Sequence, residues 1–216
     1  MFNGIKQGRR LSKILDLNRK HVGVQLELSD IQLIEKVQEG DLSAFEIIMS
    51  RHKPKVAAVI MGMLGDADAT EDVGQEVFIR FFRTIDKFKG DSELSTYLIR
   101  IAINLSINEI NKRKRRHYVS FDDLYSSDSS DPHDRENSPD NRDLREILDR
   151  AIQTLDSKYR KVIVLRLVNG YSTKETAEIL DLPLGTVLSR LARGQKKLQE
   201  ILKPFYNNEA THLNTL

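Results

Sequence analysis

Between Ser126 and Asn141 the 216-residue chain offers no aliphatic and no aromatic side chain. Such a stretch cannot bury enough apolar surface to offset the entropy lost on ordering. It therefore divides the molecule. The expected organisation is a mobile basic extension over 1–25, an N-terminal domain over 26–116, an acidic linker over 117–137, a C-terminal domain over 138–206 and a tail over 207–216.

On both sides of the divide the apolar pattern is helical, so the expected fold is all-α, two small helical domains. Ile31, Ile34 and Val37 recur at helical spacing and Gly40 closes the run. Ser43 and Glu46 read as a capping box. From Thr70 to Phe88, residues Val73, Val77, Phe78, Phe81, Phe82 and Ile85 form one broad stripe. The segment from Leu94 is apolar on nearly every side up to Ile110, the mark of a central helix. In the C-terminal half, Ser138 and Pro139 suit a helix start. Leu144, Ile147, Leu148, Ala151, Ile152 and Leu155 then keep the helical period, and a second helix runs from Asp156, as cap, to Gly170.

The last two helices carry the first functional signal. Ser172 and Glu175 form a capping box, Pro183 stops the first helix, and a basic helix follows. This is a helix-turn-helix within a four-helix unit, and the last helix is its recognition helix. Thr186 and Ser189 offer short hydroxyls, Arg190 and Arg193 reach phosphates or guanine edges, and Lys196 and Lys197 extend the basic face. Val187 and Leu191 are expected to pack inward, and Gly194 to break the helix.

Charge is segregated although the net charge is only +2. Gly65–Glu76 holds five acids and no base, Asn111–His117 five consecutive bases, and Phe121–Asp140 seven acids against one Arg. Blocks of this kind fit partners of both signs. The absence of Cys excludes disulfides, thiolate zinc sites and cysteine catalysis. No run approaches the roughly 18 apolar residues of a membrane span.

The stretch "DATEDVGQEVFIRFFRTIDKFKGDSELSTYLIRIAINLSINEINKRKRR" resembles the central region of bacterial sigma factors of the extracytoplasmic-function (ECF) type, which keep sigma domains two and four. The stretch "LDSKYRKVIVLRLVNGYSTKETAEILDLPLGTVLSRLARGQKKL" matches the same family. The resemblance covers about residues 28–116 and 143–202.

It implies an alternative sigma factor, not an enzyme, working in the cytoplasm with core RNA polymerase, through its β′ clamp helices and β subunit, and with promoter DNA, duplex and single-stranded. An anti-sigma factor is a further implied partner. By the same resemblance, Asp72, Gln75 and Glu76 contact polymerase, while Phe78 and Phe82 serve the core. The minus-ten element falls to Lys89, Gly90, Asp91, Ser92, Ser95 and Thr96 in the loop, then Arg100, Asn104, Asn108, Arg113, Arg115 and Arg116 along the helix. The minus-thirty-five element falls to Gly185, Thr186, Leu188, Ser189, Arg190, Arg193, Lys196 and Lys197.

Two rival readings remain. A free-standing helix-turn-helix regulator needs a dimerisation or ligand-binding unit, and the N-terminal half has neither a heptad seam nor a ligand signature. A DNA-processing enzyme needs a catalytic constellation. Asp68, Glu71, Asp72 and Glu76 follow helical spacing with no His among them, and His21, His52, His117, His133 and His212 are scattered. No catalytic residue, metal or cofactor is expected.

Overall fold

The computed structural model describes residues 28–122 and 141–213, and every regular element among them is helical. The predicted extension, most of the linker, and Ser138 with Pro139 lie outside the described residues.

Helix α1, Asp30–Gln38, opens with a reciprocal cap. Ser29 Oγ accepts from the Gln32 amide, and the Gln32 side chain accepts from the Ser29 amide. Gly40, at φ +98°, turns the chain into α2, Leu42–Leu64. That turn places Asp41 at the cap, where its carboxylate accepts from the Ser43 amide at 3.0 Å and the Ser43 hydroxyl at 2.5 Å. The expected box of Ser43 with Glu46 is thus displaced by an aspartate two positions earlier. These bonds, the hydroxyl's first, hold the Asp41 carboxyl below the usual carboxylate range.

Asp66 starts α3, Ala67–Thr84, by accepting from the Ala69 amide at 3.1 Å. A short 3₁₀ turn, Ile85–Lys87, leads through a loop to α4, Leu94–Asp122, which runs past the predicted domain edge at 116. Helix α4 packs against α2 and α3. Leu98, Ile99, Ala102 and Ile103 are buried there, as an apolar surface on several sides requires. Burying one such leucine stabilises by about 1.5–3 kcal/mol.

The C-terminal domain follows as α5, Asn141–Thr154, and α6, Ser157–Ile163. A wide π turn, Val164–Val168, extends α6, and α7, Thr173–Leu180, and α8, Leu184–Leu213, complete the domain. Asp156 stands at the start of α6 without a side-chain cap bond. Helix α8 does not break at Gly194. It passes α6 so closely there that a Cβ at residue 194 would lie 3.0 Å from Ile163 Cγ1. The glycine serves a helix crossing, at a cost of about 1 kcal/mol in intrinsic propensity.

Some apolar residues of the predicted stripes face outward. Ile31, Leu144 and Leu148 are exposed, while Leu33, Ile34, Ala151 and Ile152 on the adjoining faces are buried. Periodicity finds a helix but leaves the angle of its buried face loose by about one position. The buried apolar cluster continues from the N-terminal domain into the C-terminal one, with Val164 against Gly62 of α2.

Candidate polymerase and promoter interfaces

Three surfaces gather the residues singled out by the sequence. The first is α3. Asp72 and Gln75 are exposed, whereas Glu76 is half-buried and accepts from Arg80 Nε at 2.7 Å. Between α2 and α3 lies a groove of about 1120 Å³, whose apolar lining includes Phe45, Met49, Phe78, Ile79 and Phe82. Gln75 also lines it, with Glu46, Lys53 and Arg83 among the charged groups. Phe78 is buried as expected, but Phe82 is 42% exposed and stands on the groove with its ring 4.9 Å from that of Phe45. The core takes Phe81 instead, one position away. A stripe that holds Phe78, Phe81 and Phe82 is wider than one packed face needs, and that width was the available signal.

The second surface is the loop before α4 and the face that continues from it. Gly90 sits at φ +75° with no heavy atom near a Cβ placed there, so the glycine answers to backbone geometry alone. Lys89 and Asp91 are exposed and Ser92 is half-buried. Both ends of the loop are pinned by rings. Phe88 lies 5.2 Å from Tyr97 and 6.2 Å from Phe81, and Tyr97 lies 6.0 Å from Phe81, all in edge-on geometry. Such pairs add about 0.5–1.5 kcal/mol each beyond area burial.

Ser95 and Thr96 belong to the first turn of α4, not to the loop. Ser95 Oγ donates to Glu93 Oε2 at 3.3 Å, and Thr96 is buried, turned away from any surface strand. Further along, Asn104 and Asn108 are exposed on one face, as are Arg115 and Arg116. Arg113 instead pairs with Asp66 at 2.9 Å and Glu109 at 3.2 Å, which ties the basic end of α4 to the start of α3. Lys112 lies 3.6 Å from Glu109. Arg100 reaches out of its own domain: Nε donates to the Ile179 carbonyl at 3.3 Å and Nη2 to the Glu178 carbonyl at 2.9 Å, both on α7.

The third surface is the start of α8. The Ser172–Glu175 box forms as expected, with bonds of 3.1 and 2.7 Å. Asp181 adopts φ +50° to end α7, and the Leu182 amide donates back to the Ala177 carbonyl. Pro183 then delivers α8. Val187 is fully buried and Leu191 partly so. Gly185, Leu188, Ser189, Arg193, Lys196 and Lys197 are exposed, with Thr186 and Arg190 half-buried. Ser189 Oγ donates to the Thr186 carbonyl at 3.0 Å, and Lys197 lies over the Tyr159 ring at 5.7 Å. Lys161 of α6, which the sequence did not mark, is half-buried, and its ammonium is held below the usual lysine range by burial and by the charge of Arg190. Among the described residues no group of three or more His, Asp or Glu is gathered as a metal ion would require.

Comparison with known proteins places the chain in a family. The sequence profile Sigma-70 region 2 matches residues 48–116, and Sigma-70, region 4 matches residues 145–198. The chain is 35% identical over 188 residues to the ECF RNA polymerase sigma-E factor of Escherichia coli K12, which covers 82% of this chain and 96% of that one. It is 35% identical over 185 residues to the ECF RNA polymerase sigma factor SigW of Bacillus subtilis, covering 82% and 99%. Among solved structures, the sigma factor RpoE in complex with the anti-sigma factor NepR from Bartonella quintana superposes with a TM-score of 0.56 at 25% identity, over 74% of this chain and 96% of that one. CnrH in complex with the cytosolic domain of CnrY shares the fold, with a TM-score of 0.58 at 24% identity over 81% and 97%. With both sigma regions in order and identity sustained along most of its length, the chain belongs to the ECF sigma factors of bacterial RNA polymerase.

Proposed function

We propose that the three surfaces divide the work of an alternative sigma factor among them. The exposed acidic face of α3, with Asp72 and Gln75, and the adjoining groove take core RNA polymerase. The loop Lys89–Ser92 and the exposed groups Asn104, Asn108, Arg115 and Arg116 take the minus-ten element as it melts. The start of α8 takes the minus-thirty-five duplex, with Arg193, Lys196 and Lys197 on phosphates and Leu188 and Ser189 toward base edges.

One observation supports this division most: the ring-pinned loop and the exposed start of α8 are two separate polar surfaces, and a melted strand and a duplex groove call for two such surfaces. In this reading the chain performs no bond chemistry of its own. It works in the cytoplasm, where polymerase is, and no described helix is long and apolar enough to cross a membrane. The sigma factor RpoE of Bartonella quintana is solved with an anti-sigma factor, and we extend a partner of that class to this chain.

Run-off transcription with core polymerase on a genomic fragment library tests the reading. Discrete start sites that depend on the chain are expected. A chain that neither co-purifies with core polymerase nor starts transcription on any fragment would remove it.

A further inference from the structure

Where α8 begins, its exposed side is apolar before it is basic. Leu184 and Leu188 are each 49% exposed, and Ala192, one turn further, is exposed as well. Residues four apart are neighbours on one face of a helix, so the three side chains stand in a row. Beside the row lie Gly185 and Ser189, both exposed. A Cβ at residue 185 would meet no heavy atom within 4 Å, so packing gives no reason for a glycine there, and the bare backbone stays open to whatever approaches. Ser189 Oγ donates its proton to the Thr186 carbonyl at 3.0 Å, which leaves it only an acceptor toward the outside.

The exposed cations come later. Arg193, Lys196 and Lys197 all lie beyond Leu188 along the helix. Arg190 is half-buried, and its charge acts on Lys161 of α6. It follows Leu188 by two residues and so stands about 200° round the helix from it. The first two turns of α8 therefore carry no fork of donors for a guanine edge beside the leucine row.

A recognition helix meets base edges with its N-terminal residues. Those edges are patterns of donors and acceptors, and the one apolar group among them in the major groove is the thymine 5-methyl. Leucine set on a guanine or cytosine edge would strand polar atoms without partners. Set on a thymine methyl, it removes apolar surface from water on both sides. We infer that Leu184, Leu188 and Ala192 read thymine methyl groups, and that this row selects A·T pairs in the upstream duplex while Arg193, Lys196 and Lys197 grip its phosphates. The inference rests on the placement of α8 in the minus-thirty-five duplex proposed above. The row spans eight residues, about 12 Å at 1.5 Å per residue. At about 3.4 Å per base pair, the methyls it meets fall within a window of about four pairs.

The test begins with selection from a random duplex pool by the full-length chain, alone and assembled with core RNA polymerase. The enriched element should hold at least two thymines, on either strand, within such a window. Each is then replaced by deoxyuridine, which lacks the methyl and keeps every hydrogen-bonding group. Affinity should fall about fourfold for each methyl that is read, the worth of one buried methyl group. In Leu188→Ala the penalty should vanish at one thymine and persist at the others. A general fault in α8 would weaken all duplexes alike and could not produce that selective loss.

An enriched duplex that tolerates uridine at every position overturns the inference and leaves α8 as the reader. A uridine penalty equal in Leu188→Ala, Leu184→Ala and the parent overturns it too, since another group would then touch the methyl. Unchanged uridine penalties with core polymerase binding lost in Leu188→Ala would give the leucines to polymerase instead. A pool from which neither the chain nor its polymerase complex enriches any duplex removes the placement of α8 itself.

Discussion

The loop before α4 and the turn before α8 both set polar groups at the surface, yet they are built by different means. The turn is local. A capping box, one aspartate in the left-handed region and a proline lie within Ser172–Pro183 and suffice to aim α8. The loop is tertiary. Its ends are held by Phe88, Tyr97 and Phe81, which come from three segments and meet only when α3 and α4 have packed. A locally built surface should survive damage elsewhere in the fold, and a tertiary one should not.

The largest test of that difference is Phe81→Ala. The ring is fully buried among Phe45, Phe88 and Tyr97, and its loss should cost about 3–5 kcal/mol in urea unfolding. Open-complex formation should fall with it, while binding of the upstream duplex by the C-terminal domain is kept. Equal loss of both activities would show that the two surfaces are not built independently.

Next in size is the combined change of Asp91, Ser92 and Ser95 to Ala. It removes polar groups at the loop and in the first turn of α4 and leaves Leu94 and Leu98 packed. Each lost base contact should cost about 1–3 kcal/mol, read by a fluorescent base analogue on the non-template strand. Core binding should stay near normal, and an open complex as ready as the parent's would refute the loop assignment. On the other surface, Arg193→Ala should weaken duplex binding across all sequences and lower the slope of log affinity against log salt by about one. An unchanged slope would mean that this exposed guanidinium touches no phosphate. Ser172→Ala removes one side of the box that aims α8 and should cost about 1 kcal/mol, measured by thermal unfolding.

The smallest effect expected is a pH dependence confined to the N-terminal domain. His52 is buried, and burial holds its pKa below the ordinary 6.5 although Asp30 Oδ2, 2.9 Å from its Nε2, pulls the other way. Arg51 beside it and Lys55 add to the lowering. The unfolded chain therefore takes up the proton first. The stability from neutral His52 is complete above the unfolded value and is lost as the pH falls through the folded one. His52→Gln should flatten urea stability between pH 7 and pH 5 relative to the parent, and an identical slope would show that another group carries it.

The same local-versus-tertiary contrast explains what could be read in advance. The helical class, the Ser172–Glu175 box and the inward Val187 follow from spacing and residue type. The sigma pattern of the sequence was equally local, a loop between helices followed by a helix-turn-helix. Of the misplaced details, the Ser43 cap and Thr96 turn on where a helix starts, and others needed a partner distant in sequence. Thr96 looked like a loop hydroxyl until α4 began two residues before it. Phe82 leaves the core for the groove because α2 brings Phe45 against its ring, while Phe81 stays buried. Gly194 looked like a break because nothing in its neighbourhood announces Ile163. Arg113 looked free until Asp66 was found 47 positions earlier.

The bonds from Arg100 to the Glu178 and Ile179 carbonyls carry a thermodynamic consequence. Linkage of this kind is reciprocal: whatever stability the C-terminal domain gains from these bonds, the N-terminal domain gains as well.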